Sequence, residues 1–174
     1  MGKYLFLDPS DVLSAGEYPD GEKLILAHKL SMENVIRIIE ETGCKLVLIS
    51  NPLFYMHSQG DWVKALNDKS MDMGYPKQFQ FYSATPSIWA DDIKWVCPVA
   101  SWNKRFKKSL DGLGVAMWLC LNAEPDARYA IITRGKENEF MKNQKENLFV
   151  CKDTGVTEEI ADLIIELFNG IAFY

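Results

Sequence analysis

The chain has little of what marks a metal-stapled, disulfide-rich or membrane-bound protein. Its 174 residues include only four cysteines and two histidines. No two cysteines stand in a CxxC pair, so the spacing predicts no structural zinc site and reduced, mostly buried thiols. No apolar run approaches the roughly 18 residues of a membrane span. The first apolar run is short and is interrupted by Asp8, which is atypical of a signal peptide. We therefore expect a cytoplasmic protein.

A surplus of positive charge is also missing. Lysine and arginine total 19 against 24 acidic residues, which gives a net charge of -5 and disfavours non-specific binding to nucleic acid. This net charge does not exclude a local basic groove. Residues 104–108 are one candidate for it, although a solvated loop explains them as well. The hydrophobic fraction of 48% excludes a disordered chain. The length fits a single domain over residues 1–174.

Strands and helices alternate along the chain, without repeats or low-complexity segments. Ser31 and Gly43 bracket an amphipathic stretch as N-cap and C-terminal glycine, and Thr157 and Gly170 bracket a second one. A third helix is expected at 110–121. Short apolar or alternating runs predict strands at 3–7, 46–49, 78–82, 129–132 and 148–150. This order predicts a three-layer, Rossmann-like α/β fold with a mostly parallel central sheet.

In such a sheet, ligands bind outside the carboxyl ends of the strands, so the residues that leave each strand are the candidate site. Asp8 follows the first strand, Ser50 and Asn51 follow the second, and Thr133 and Arg134 end the strand at 129–132. A carboxylate in the first position is able to attack phosphorus. A hydroxyl or amide holds a phosphate oxygen, and a nearby cation neutralises developing charge. The set therefore indicates phosphoryl chemistry.

Each of these features also has a purely structural explanation. Asp8 stands in an Asp-Pro turn, and Ser50 and Asn51 precede another proline. Arg134 before a glycine is typical of a solvated turn, and the charged stretch at 136–147 is typical of a solvated segment. The tryptophans of residues 85–103 fit base stacking or the packing of a loop onto the domain.

Four segments, in order, resemble one known family. Residues 4–13 (YLFLDPSDVL) resemble the first motif of the haloacid dehalogenase (HAD) superfamily, in which an apolar strand leads into Asp-x-Asp-Gly-Val-Leu. Residues 40–51 are similar to the helix, strand and hydroxyl residue of the second motif. Residues 115–119 resemble the helix before the fourth motif, and residues 154–159 (TGVTEE) resemble a TGLTEE segment of the HAD domain in Swiss Army Knife RNA repair proteins.

The resemblance implies a HAD-like fold with little or no cap. It also implies Mg²⁺-dependent phosphoryl hydrolysis, with nucleic-acid ends as a candidate substrate. It assigns the nucleophile and metal ligand to Asp8 and the general acid/base to Ser10. Asp11 stands at the glycine of the first motif. The phosphate-binding hydroxyl falls on Ser50, with Asn51 beside it.

The chain departs from the family pattern at the positions that carry catalysis. Ser10 is a poor proton donor near neutral pH, and losing one positioned acid/base costs about 10²–10⁴-fold in rate. The paired acids of the fourth motif fall on Thr133 and Arg134. Arg134 brings a fixed positive charge that repels Mg²⁺ and that is able to bind phosphate in the place of the metal. The third-motif basic residue has no secure counterpart. Lys107 or Lys108 would serve, whereas the closest register falls on Asp111.

Two functions compete on these grounds. The first is a catalytically degenerate domain that binds a phosphorylated small molecule, a nucleic-acid end or a protein partner, and no membrane. The alternative is an active Mg²⁺-dependent phosphohydrolase that uses Asp8 with a substitute acid, such as Asp11, Glu137 or Asp153. A structural scaffold is a third class, and fold alone does not choose among them.

Overall fold

Five parallel strands form one central sheet. The computed structural model describes residues 1–8, 29–49, 63–64, 67–68, 71, 77–86, 111–152 and 155–170. The strand order is β3-β2-β1-β4-β5, and every neighbouring pair is parallel. β1 is central, with Leu5 paired to Leu46 on one side and to Ala130 on the other. The strands are β1 (Lys3–Leu7), β2 (Lys45–Leu48), β3 (Phe81–Ala84), β4 (Arg128–Thr133) and β5 (Leu148–Val150).

Helices cover both faces of this sheet. The α-helices are α1 (Lys29–Thr42), α2 (Asp111–Asn122) and α3 (Glu158–Asn169), and two 3₁₀ helices span Glu137–Glu139 and Lys142–Asn147. One apolar cluster joins the sheet to α1 and α3, and a second joins the other face to α2. The predicted α/β fold with a parallel sheet is thereby confirmed. Within the described ranges, no helix combines the length and hydropathy of a membrane span.

The alternation of side chains along β1 explains the two clusters. Leu5 and Leu7 point to the face covered by α1 and α3, whereas Tyr4 and Phe6 point to the face covered by α2. The ring of Trp118 from α2 meets Tyr4 and Phe6 edge-on, at centroid distances of 4.9 and 5.3 Å. A strand buried on both faces reads as a continuous apolar run, which is why the sequence revealed it.

The ends of the helices were predicted with mixed success. Gly43 has a φ of +66° and donates its N–H to the carbonyl of Ile39, as expected of a C-terminal glycine. The Ser31 N-cap was wrong, because α1 begins at Lys29. The Ser31 hydroxyl is instead fully buried and accepts a hydrogen bond of 2.9 Å from the N–H of Val156. The next turn of α1 adds a second tie, from the Asn34 amide to the Val156 carbonyl at 2.8 Å.

The edge strand β3 has a side chain in place of a further strand. The Asn67 amide donates to the carbonyl of Phe81 at 3.0 Å, and its carbonyl oxygen accepts from the Phe81 N–H at 2.8 Å. The strand itself begins later than the predicted 78–82, because its pairing with β2 starts at Phe81. Asn67 thus occupies backbone groups that another strand would otherwise bind.

The order of connections defines a switch point in the sheet. The chain moves outward from β1 to β2 and β3, and then returns to place β4 on the opposite side of β1. The connections after β1 and β4 therefore leave the sheet in opposite directions. Open α/β sheets bind ligands at the carboxyl ends of strands whose connections diverge in this way.

Candidate functional site

Asp8 and Thr133 lie side by side at the switch point. Leu7 pairs with Ile132 across β1 and β4, so the residues after them are neighbours at the carboxyl edge. Asp8 is only 7% exposed and Thr133 only 3% exposed. Burying a carboxylate is costly unless it is paired, so its partner defines what this site is able to do.

Lys136 is a cationic partner of Asp8. Its Nζ lies 3.5 Å from Oδ2 of Asp8, and its side chain is 28% exposed. β4 ends three residues earlier, and Gly135, with a φ of +70°, turns the chain between the two points. The sequence predicted a solvated segment at 136–147, and most of it is at least partly exposed, but Lys136 itself turns toward Asp8. The available signal was a lysine so close to the end of a strand that neighbours β1.

Arg134 gives this corner a second positive charge. It follows β4 directly and is partly buried. Residues 134–136 thus supply an arginine, a glycine turn and the ammonium that faces Asp8. At this edge the two positive charges of Arg134 and Lys136 stand against two buried carboxylates, Asp8 and Asp111. A guanidinium matches the geometry of phosphate oxygens.

The first turn of α2 approaches the same edge. A Cβ on Gly112 would lie 2.8 Å from the Glu139 carbonyl oxygen, and one on Gly114 would lie 2.8 Å from that of Pro86. The first turn therefore lies between the segment after β4 and the residues after β3. Asp111, the first residue of α2, is buried there. A carboxylate at a helix N-terminus is favoured by the helix dipole.

A further buried hydroxyl lies at the carboxyl end of β3. Thr85 is 1% exposed, and its N–H donates to the Leu48 carbonyl at 2.8 Å. Ile49 likewise donates to the Leu7 carbonyl at 2.9 Å, which continues the pairing of β2 with β1 up to the edge. Sequence reasoning missed Thr85 because it placed the end of this strand at residue 82, two residues before its end at Ala84.

Several predicted site residues lie outside the described residues. The first-motif positions Ser10 and Asp11, and the second-motif positions Ser50 and Asn51, belong to this group. So do Lys107, Lys108, Asp153 and the tryptophans Trp89, Trp95 and Trp102. Of the candidate residues at the strand ends, the structure therefore places Asp8, Thr133 and Arg134, and it brings all three to one corner of the sheet.

Magnesium does not suit the described part of this corner. Mg²⁺ takes oxygen ligands, and here one oxygen of Asp8 already faces an ammonium. At about 4 Å and an effective dielectric constant of about 20, each pair of like unit charges costs about 4 kcal/mol. Among the described residues, no three His, Cys, Asp or Glu side chains form a group that could hold a metal ion. We derive no chemical step through a metal.

The described cysteines are free thiols, as expected. Cys44 and Cys151 are buried, whereas Cys120 is exposed. Burial raises the pKa of the Cys44 thiol to about 11. The Cys151 thiol follows β5 and donates to the Thr133 carbonyl at 3.4 Å, and the Cys151 N–H donates to the same oxygen at 2.9 Å. These two contacts fix the end of β4 beside Asp8.

Comparison with known proteins adds no identity: no family model, curated protein or solved structure matches the chain.

Proposed function

We propose that the chain is a catalytically degenerate HAD-like domain that binds a phosphate-bearing ligand at the corner between β1 and β4. The observation that carries this proposal is the contact between Asp8 and Lys136, with Nζ and Oδ2 3.5 Å apart. It supports a corner in which a lysine of the protein, rather than a metal ion, faces the carboxylate of Asp8.

The strand order supports the location of the site. Open α/β sheets bind ligands where the connections diverge, and here that point lies between β1 and β4. The resemblance to the HAD superfamily rests on the sequence segments alone. It is part of the proposal, because a parallel sheet with helices on both faces is shared by many unrelated families.

The chemistry of the corner favours binding over hydrolysis. An acyl-phosphate mechanism needs a nucleophile free to attack and an acid to protonate the leaving group. Lys136 forms an ion pair with Asp8, so this carboxylate is not free to attack. At the positions where the HAD family has its other acids, this chain has Ser10, Thr133 and Arg134. Arg134 and Lys136 would bind phosphate oxygens, and Thr133 would add a hydroxyl donor.

The test is calorimetric titration with inorganic phosphate in EDTA, followed by p-nitrophenyl phosphate with Mg²⁺. We expect metal-independent phosphate binding and no turnover. Lys136→Met should weaken binding about tenfold, because about 1.4 kcal/mol is a typical loss for one charge-assisted hydrogen bond. Lys142→Met is the matched control: Lys142 is exposed in the same segment, and its loss should leave the affinity unchanged.

Two results would overturn the proposal. Mg²⁺-dependent turnover that disappears in Asp8→Asn would establish the phosphohydrolase alternative. Equal loss of phosphate binding in Lys136→Met and Lys142→Met would show that phosphate meets only the general charge of the surface.

A further inference from the structure

Gln144 is a buried amide inside a polar stretch. It is 2% exposed, although Lys142, Asn143, Lys145 and Glu146 around it are all exposed. Its Oε1 accepts from the Met141 N–H at 2.9 Å, and its Nε2 donates to the Gly112 carbonyl at 2.8 Å. A buried polar group with both ends bonded specifies one geometry, because any other arrangement leaves it unpaired.

The bond to Gly112 joins two segments at backbone contact. A Cβ on Gly112 would lie 2.8 Å from the Phe140 Cα and from the Glu139 carbonyl oxygen, and 2.6 Å from Oε1 of Gln144. Only a glycine fits between these atoms. Phe140 is buried in the same apolar cluster as Val115 of α2. The residues after β4 are therefore held on α2 by one apolar and one polar contact.

Lys136 lies between this contact and the end of β4. The Lys136 carbonyl accepts from the Glu139 N–H at 2.9 Å, so Lys136 belongs to the turn that ends at the Gly112 contact. At its other end, β4 is fixed by the pairing of Thr133 with Val150. The lysine backbone is thus fixed from both sides, which limits where its ammonium is able to go.

We propose that Gln144 is a positioning residue, which through Gly112 holds the Lys136 ammonium against Asp8. The use of that ion pair in phosphate binding rests on the proposed function, but the positioning does not. Gln144 itself touches neither charged group of the pair in the contacts described above. It acts through the backbone of the turn.

The test measures how strongly Lys136 is protected. An ion-paired amine is acylated slowly, so limited acetylation with an N-hydroxysuccinimide ester, resolved by peptide mass spectrometry, reports the pair. Lys142 serves as the internal reference, because it is exposed in the same segment. We expect Gln144→Met, which keeps the volume and loses both hydrogen bonds, to raise the Lys136-to-Lys142 labelling ratio several-fold.

Asn34→Leu is the matched control. Asn34 is also a buried amide bonded to a backbone carbonyl, but it ties α1 to Val156 on the opposite face of the sheet. The Asn34→Leu variant should have a lower melting temperature and an unchanged Lys136-to-Lys142 labelling ratio. Gly112→Ala forces the same contact apart and should raise the labelling ratio as Gln144→Met does. It keeps the test decisive if Gln144→Met does not fold.

An unchanged labelling ratio with a lowered melting temperature in both Gln144→Met and Gly112→Ala would overturn the proposal and leave Gln144 a stabilising residue only. The two proposals fail separately. A raised ratio in a protein that does not bind inorganic phosphate would contradict the proposed function alone. Phosphate binding with an unchanged ratio would contradict the positioning role alone.

Discussion

At the amino edge of the sheet, polar side chains close the ends of neighbouring elements, whereas at the carboxyl edge they are buried around a charged pair. The Arg128 guanidinium donates to the Leu167 and Phe168 carbonyls at 3.0 and 3.3 Å, which satisfies the last turn of α3. The Tyr4 hydroxyl donates to Glu124 at 3.0 Å. Burial first, and this carboxylate second, raise the pKa of that phenol. Each of these contacts has an evident structural purpose.

The buried polar side chains at the carboxyl edge do not close the ends of helices or strands in this way. Asp8, Thr85, Asp111 and Thr133 are all buried there, and Lys136 is drawn in beside them. A buried ion pair is weak support for stability, because desolvation offsets much of its attraction. Buried polar groups that add little to stability are typical of a binding site, where their role is to contact a ligand. The contrast between the edges is therefore the physical ground for the proposed binding site between β1 and β4.

Two glycines with the same backbone conformation give the largest expected effect. Gly170 has a φ of +74°, and a Cβ there would lie 2.5 Å from Nη1 of Arg128. Gly170→Ala should lower the free energy of unfolding by about 3 kcal/mol, from left-handed strain and from displaced hydrogen bonds. Gly135 has a φ of +70°, but within the described part of the chain, its two chain neighbours aside, no atom lies within 4 Å of its Cβ position. Gly135→Ala should cost only about 1 kcal/mol. Urea denaturation measures both.

A similar loss in both alanine variants would break the comparison. It would mean that strain alone sets the cost and that the amino edge is no more tightly closed than the carboxyl edge.

The Asp8–Lys136 pair gives a smaller effect on stability. Asp8→Asn and Lys136→Met should each lower the free energy of unfolding by about 1–2 kcal/mol, because each leaves a charge without this partner. The double variant should return to within about 1 kcal/mol of the original protein. A double-mutant cycle at pH 7 measures the coupling. Additive losses would show that the two side chains act independently and would remove the ion pair from the argument.

The smallest effect concerns thiol chemistry and leaves stability unchanged. With a pKa of about 11, Cys44 carries about one thiolate per thousand molecules at pH 8. Iodoacetamide should therefore modify exposed Cys120 at pH 8 and spare Cys44, with Cys44 labelling rising only as the pH approaches 11. Mass spectrometry of the native protein checks this. Equal modification of the two residues at pH 8 would show that the start of β2 is open to solvent.

Much of the fold was predictable because its strands and helix ends are encoded by short stretches of sequence. β1, β2 and β4 are continuous apolar runs, since a strand covered on both faces has no exposed positions to fill with polar residues. Thr157 and Gly170 mark the ends of α3 through their own side chain or backbone. The start of α1 was missed because the Ser31 hydroxyl accepts from the N–H of Val156, 125 residues away along the chain.

The candidate site was only half predictable for the same reason. Asp8, Thr133 and Arg134 follow from the ends of strands, whose arrangement topology dictates. Lys136 and Gln144 lie in a charged stretch whose composition is typical of a solvated surface. Their partners, Asp8 and Gly112, are 128 and 32 residues away along the chain. No local pattern encodes contacts of that range.

The amide of Asn67 on β3 has a consequence for how this protein behaves at high concentration. A bare outer strand invites a neighbouring molecule to extend the sheet, which is a common route to aggregates. Asn67 imitates the backbone of such a neighbour and occupies the Phe81 groups first. One side chain thereby blocks the pairing of a strand from another molecule at this point, at a position remote from the proposed phosphate corner.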